Sequence, residues 1–320
     1  MSVSSEYIWM EGEYVPFKEA KVHFLTSSLH YGTSVFEGIR AYSTDAGPAI
    51  FRLKEHIERL FKSAQIIGMP QLPHSVEEIC GVCAELVRMN NMEDCYIRPL
   101  VYVKEGGWNL CFENVKLGVT VAVWKWNNYL GENALKNGIR ANISSFHRHH
   151  PNVMMTKGKT AGNYVNSVLA KSESVKLGFD EAIMLETNGT ISECTGENIF
   201  AVRGGVIYTP ARNSVLEGIT RDTIITVAKD NGYKIVEEVI TRDQLYIADE
   251  VFVTGTAAEV IALSEIDFRK IGTGKMGTVC GSLQKAYADV IRGRNPKYNH
   301  WLDYVRGNKE SSVKAETIAV

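Results

Sequence analysis

The 320-residue chain has no long apolar run, and nothing in it approaches the roughly 18 consecutive apolar residues of a membrane-spanning helix. It also has little net charge. Lys plus Arg number 35 against 37 Asp plus Glu, a formal −2, so no basic field points to nucleic acid or an anionic membrane. Cysteine is sparse, at positions 80, 83, 95, 111, 194 and 280, with no framework spacing. A chain this long buries enough core to do without disulfides, so reduced thiols and a cytoplasmic setting are expected. The opening MSVSSEYIWM has no basic stretch followed by an apolar one, so no secretory signal is expected. Internal repeats and low-complexity tracts are absent as well. What remains is an ordinary globular composition, 45% hydrophobic and 22% charged, with length enough for two domains.

Strand and helix patterns alternate. Tyr7–Met10 and the run from Tyr14 flank a Glu11-Gly12-Glu13 turn as a hairpin. Leu53, Ile57, Leu60, Ala64 and Ile67 recur at helical spacing. Ser75 and Glu78 form a capping box that opens a second helix. Tyr96–Val103 and Lys116–Trp124 read as strands, and Pro99 places the first at an edge or a bulge. Turn-forming residues around Asn127–Glu132 suggest an interdomain linker at 125–137, between a smaller unit at 1–124 and a larger one at 138–320. The larger unit shows a helix over Asn163–Leu177 and a strand over Glu181–Thr187. It continues with a type I′ hairpin signal at Asn188-Gly189 and a hairpin around Gly204-Gly205. A helix from Gly218 to about Asn231, strands at Lys234–Ile240 and Glu250–Thr254, and a helix from about Ser282 to Gly293 follow. The tail Lys309–Val320 is polar, uncapped and expected to be mobile. The fold class is α/β or α+β in two domains, hairpin-rich in its second half.

Three patterns imitate sites. Cys80-Gly-Val-Cys83 is a CxxC, but it lies on the apolar side of the Ser75 helix and reads as core. Gly272-Thr-Gly-Lys-Met-Gly277 fits the glycine spacing of a dinucleotide loop without a βαβ unit around it. A nucleotide-dependent oxidoreductase built on it is the rival from another functional class. His147-Arg-His-His150 looks like a metal cluster, yet adjacent histidines cannot all face one ion, so a polar strand end or linker is expected and no metal.

Four further stretches carry chemistry. Lys159 stands among Gly158, Thr160, Ala161 and Gly162, just before a helix. Glu193 follows the Asn-Gly turn, with Glu197 as a competing carboxylate. Gly218-Ile-Thr-Arg221 opens a helix whose free N–H groups and dipole suit a phosphate, with the Thr220 hydroxyl beside them. Thr254-Gly-Thr-Ala-Ala258, after a buried-looking strand, is a second candidate anion contact. A lysine, a carboxylate and a helix N-terminus in this order are what a pyridoxal 5'-phosphate (PLP) enzyme needs. Taken locally, each has a plainer reading: Lys159 or nearby Lys157 as a surface lysine, Glu193 as a solvated loop acid, Arg59 as a solvated helix arginine.

Together these stretches resemble the branched-chain amino acid aminotransferases. That group of PLP enzymes also includes D-amino acid aminotransferases and aminodeoxychorismate lyase, the within-fold rivals. The resemblance runs nearly the full length. It rests on His30-Tyr-Gly-Thr-Ser-Val-Phe-Glu-Gly-Ile-Arg-Ala-Tyr42, Tyr96-Ile-Arg-Pro99, Lys159-Thr-Ala-Gly-Asn-Tyr164, Ile191-Ser-Glu-Cys-Thr-Gly-Glu-Asn198, Gly218-Ile-Thr-Arg221 and Thr254-Gly-Thr-Ala-Ala-Glu259. It implies that Lys159, not Lys157, bonds the cofactor, that Glu193, not Glu197, faces its ring nitrogen, and that Tyr164 meets its phenolic oxygen. It implies phosphate contacts from Arg59, Ile219, Thr220 and Thr256. It also implies a substrate pocket of Tyr31, Phe36, Tyr96, Arg98 and Tyr129, with Thr256 and Ala257 holding the α-carboxylate. The implied fold has a smaller N-terminal and a larger C-terminal domain with PLP between them. The implied substrates are L-Leu, L-Ile and L-Val with 2-oxoglutarate, and the implied assembly is a homodimer or a higher homo-oligomer such as a hexamer. Loops of a neighbouring subunit reach the site in that family. The segments Glu105–Cys111 and Gly277–Cys280 depart from its usual pattern, which leaves substrate range open.

Overall fold

The computed structural model describes residues 3–126, 131–212 and 215–305. Tyr129 and the tail from Lys309 lie outside the described residues. Strands β1 (Tyr7–Met10), β2 (Glu13–Pro16), β3 (Ser34–Phe36), β4 (Ile39–Thr44), β5 (Gly47–Phe51), β6 (Cys95–Glu105) and β7 (Lys116–Lys125) form a first sheet. Its helices are α1 (Ser27–Tyr31), α2 (Leu53–Ile66) and α3 (Val76–Met89). Then α4 (Gly131–Asn137), inside the expected linker, leads to the second sheet.

That sheet holds β8 (Ile139–Ile143), β9 (Glu181–Leu185), β10 (Ile191–Cys194), β11 (Asn198–Arg203), β12 (Val206–Pro210), β13 (Lys234–Glu238), β14 (Glu250–Gly255), β15 (Glu259–Ile266) and β16 (Arg269–Lys270). Helices α5 (Tyr164–Lys176), α6 (Ile219–Asp230), α7 (Arg242–Tyr246) and α8 (Thr278–Ile291) accompany it. Finally β17 (Leu302–Tyr304) returns to the first sheet and pairs with β5.

The apolar periodicity of α2 buries Ile57, Leu60 and Ala64 against the first sheet, as expected. The Ser75–Glu78 capping box is present in both directions, and Cys83 is buried beneath it. Burial pushes the Cys80 thiol up to about 12 and raises Cys83 too, so both are packing residues. A further core joins the two sheets: Tyr42, Ala49 and Phe51 of the first meet Phe200 and Phe252 of the second and Tyr287 of α8. Each such fully buried apolar side chain contributes about 1.5–3 kcal/mol.

Several expectations change. Pro99 sits in neither an edge strand nor a bulge. β6 is central, between β4 and β7, and Pro99 pairs with Val121. The strand on its other side is broken at Glu37-Gly38, between β3 and β4, and there the missing donor faces. The Asn188-Gly189 hairpin forms between β9 and β10, but Gly189 alone takes a positive φ of 86°, so the turn is not type I′. Gly204 and Gly205, at 56° and 76°, do meet that requirement. Helix α8 starts at Thr278, a turn earlier than expected, because Glu250 of β14 caps it, accepting from the Val279 and Cys280 N–H groups at 2.9 and 2.8 Å. That carboxylate also fills the position a dinucleotide phosphate would need after Gly272–Gly277.

Candidate active site

The two sheets and α6 enclose a cavity of about 490 Å³. Lys159, Glu193, Tyr164, Arg59, Ile219, Thr220, Thr256, Ala257, Phe36, Tyr96 and Arg98 all line it. Tyr31 does not: it lies on α1, exposed, edge-on to Trp108 at 5.8 Å.

The Lys159 loop is tied to the first sheet. Its carbonyl accepts from the Phe36 N–H at 3.1 Å, and Thr160 bridges Val35. The small residues have a structural cause here. The Gly32 carbonyl oxygen lies 3.2 Å from where a Cβ on Gly162 would sit, so two backbones pass in contact. Lys159 Nζ donates to the Tyr164 hydroxyl at 2.8 Å and lies 5.0 Å from the Phe36 ring centre. Burial works to lower the ammonium pKa, but Tyr164 and Glu37 outweigh it and the net shift is upward. Lys157 points elsewhere, to the carbonyls of Arg212 and Val215, and clamps the approach to α6.

Glu193 is buried at the end of β10. One oxygen lies 2.8 Å from Arg148 Nε, and the other accepts from the Leu216 N–H at 3.0 Å and Asn198 Nδ2 at 3.3 Å. Burial drives its carboxyl upward, and Arg148 and the Leu216 N–H oppose this without cancelling it. Arg148 belongs to the His147–His150 stretch expected to be a polar strand end. It is a site residue that the sequence reading missed. Among the described residues no group of three or more His, Cys, Asp or Glu could hold a metal.

Beyond Leu216, which donates to Glu193, the cavity wall carries donors suited to an anion. Among the described residues no side chain caps the N-terminus of α6, and a Cβ on Gly218 would lie 2.0 Å from Asn198 Oδ1. Arg59 reaches the same end, donating to the Glu217 carbonyl at 2.8 Å. The buried Thr254 lines the cavity, and its hydroxyl has no hydrogen-bond partner among the described residues. The turn that follows is held by Glu259, whose φ is +61° and whose carboxylate meets Arg40 at 2.6 Å. These features fit PLP as a group: an amine for its aldehyde, a buried acid for its ring nitrogen, and free donors with a guanidinium for its phosphate.

On the remaining wall the Arg98 guanidinium lies 4.6 Å from the Phe36 ring centre, 5.2 Å from Tyr96 and 5.8 Å from Trp124. Tyr96 stacks on Trp124 at 4.9 Å, and its hydroxyl sits so close to Gly38 that any side chain there would collide. The wall is aromatic and carries one cation.

Fold and cavity thus define a class: a mixed α/β enzyme with two sheets and an amine, a buried acid and an anion cup around one cavity. The model of the amino-transferase class IV family matches residues 34–266, and the chain belongs to that family. It is 50% identical over 299 residues to the branched-chain-amino-acid aminotransferase of Pseudomonas aeruginosa, covering 93% of this chain and 97% of that one. It is 43% identical over 306 residues to the enzyme of the same name from Escherichia coli, covering 94% and 98%. A solved T.th. branched-chain amino acid aminotransferase with pyridoxamine 5'-phosphate superposes with a TM-score of 0.91 at 50% identity, over 95% of this chain and 100% of that one. The resemblance read from the motifs is borne out.

Proposed function

We infer that this chain is a PLP-dependent aminotransferase of branched-chain L-amino acids, with Lys159 as its cofactor-bonding and proton-transferring residue. The supporting observation is one cavity lined by Lys159, Tyr164, Glu193, Arg59 and the uncapped start of α6. When bound, PLP supplies an aldehyde that takes up amino groups and a ring that accepts electron density from the substrate Cα. The chain's residues do the rest. Glu193 holds a negative charge toward the ring nitrogen, and the Tyr164 hydroxyl meets the phenolic oxygen. Arg59, Ile219, Thr220 and Thr256 hold the phosphate. Once free of the cofactor, Lys159 Nζ would be the base that takes the substrate Cα proton and the acid that hands the same proton to the cofactor carbon bearing the amino group.

Phe36 and Tyr96 give an apolar wall for a branched side chain. Arg98 suits the side-chain carboxylate of glutamate, so 2-oxoglutarate is the proposed acceptor. Thr256 and Ala257 take the α-carboxylate common to both. Tyr129 and Tyr31 complete the proposed pocket, with Tyr31 reaching it across an oligomer. We place the domains at 1–124 and 138–320 around the 125–137 linker, and the protein in the cytoplasm. Among the described residues no helix is long and apolar enough to cross a membrane.

A transamination panel with 2-oxoglutarate tests the reading. L-Leu, L-Ile and L-Val are expected to turn over and D-Ala to fail. Lys159→Ala should lose the lysine-borne chromophore and at least about 1,000-fold in kcat. A colourless wild type, or full turnover by that variant, would sink it.

A further inference from the structure

Glu37 is a buried carboxylate that the chemistry above leaves unused. It occupies the break between β3 and β4, where its N–H donates to the Pro99 carbonyl at 3.0 Å. Its side chain is saturated. One oxygen accepts from Arg59 Nε at 2.6 Å. The other accepts from Arg59 Nη2 at 2.9 Å and from the Gly38 N–H at 3.2 Å, and lies 2.7 Å from His56 Nδ1. Burial would push this carboxyl up, but Arg59 and His56 outweigh it and hold it well below the usual range. His56, buried behind it, is pushed down by burial against the pull of Glu37. A neutral imidazole facing a carboxylate must carry its proton on Nδ1, so His56 donates.

Arg59 has five N–H groups in a rigid plane. Two face Glu37, and one on Nη1 goes to the Glu217 carbonyl. Two remain, one on each terminal nitrogen. Arg59 lines the cavity with Gly218, Ile219 and Thr220 at the start of α6. Fixing part of a planar fork fixes the rest. A buried ion pair with a third partner is costly unless its geometry is used, since apolar side chains would fill the same space.

We propose that Glu37 and His56 are positioning residues that lock Arg59 so that it presents its remaining donors to the cofactor phosphate, and thereby set the preference for phosphorylated over unphosphorylated cofactor. This rests on the functional reading above, which puts the phosphate at α6.

The test compares two probes, PLP and pyridoxal, titrated by absorbance into full-length protein stripped of cofactor. Glu37→Gln is expected to lower the ratio of PLP to pyridoxal affinity about tenfold or more, because any effect on Lys159 is common to both probes while the phosphate contact belongs to PLP alone. His56→Leu should shift the same ratio in the same direction, and His56→Asn, which keeps a donor near Nδ1, should restore it. If Glu37→Gln does not fold, the two His56 variants decide. Equal losses for both probes, or an unchanged PLP-to-pyridoxal ratio with wild-type binding intact, would overturn the positioning role alone. A wild type that binds neither probe would instead overturn the functional reading.

Discussion

Arg148 answers two opposed demands on Glu193. On the proposed reading the carboxylate is buried to face a ring nitrogen in a dry site, and burial favours its neutral form. The Arg148 guanidinium, 2.8 Å from one oxygen, is the foremost influence holding it ionised. Without it the Glu193 pKa must rise further, and protonation would begin at higher pH. Arg148→Met is therefore expected to lower kcat/KM for L-Leu about 10- to 100-fold near neutral pH. The loss should deepen toward acid, because the acidic limb of the pH profile moves upward. Arg148→Lys, which keeps the charge, should fall between. A pH–rate profile whose acidic limb stays in place would refute this role. Lys159 and Glu193, which line one cavity, could be singled out in the sequence because their neighbours form local motifs. Arg148 could not: in His147–His150 it is one cation among polar residues, and its partner arrives only when β8, β9 and β10 assemble side by side.

Helix boundaries show the same division between local and distant causes. The Ser75–Glu78 box lies within one turn of the helix it opens, so the start of α3 could be read directly. The start of α8 could not, since its cap is Glu250, supplied by another element. Gly277 belongs to the same device: a Cβ there would lie 2.0 Å from the Glu250 carboxyl carbon. Glu250→Ala frees two N–H groups and removes an anion from a helix N-terminus, so it should cost about 1–2 kcal/mol. Urea unfolding is the measurement, with an unchanged slope and a lower midpoint expected; an unchanged midpoint would mean that the cap contributes nothing. Pro99 and Asn188 misled for related reasons. The strand break that accommodates Pro99 lies in β3–β4, and the turn at Asn188 takes a conformation with one left-handed residue rather than two. Strand β15 went unread although it carries Val260, Ile261, Ala262 and Leu263. A short apolar run without flanking turn signals has no periodicity to declare it.

At the scale of the whole molecule, the two sheets share one core, yet much apolar surface stays uncovered. Phe24 is 74% exposed, Leu29 61% and Leu110 77%, and Tyr31 and Trp108 stand beside them in an aromatic group around His30. The outer face of α5 adds Val165, Val168 and Val175, all exposed. Side chains of this kind scattered singly would need no explanation, but grouped on one element or one aromatic cluster they are what an interface between chains would cover. The Tyr31 group also stands apart from the cavity of its own chain, which a second copy of the chain would explain. Light scattering on the eluting wild-type protein should give at least twice the 35.6 kDa of one chain. Leu29→Asp and Val168→Asp, each placing a charge in one of the two patches without touching a core residue, separate their contributions. Loss of the larger species in either variant locates the interface. If Leu29→Asp gives a folded single chain, its KM for amino acid should rise as well, because Tyr31 can no longer be supplied by a neighbour. A wild type that elutes as one 35.6 kDa chain with full activity would exclude both the assembly and any shared role of Tyr31.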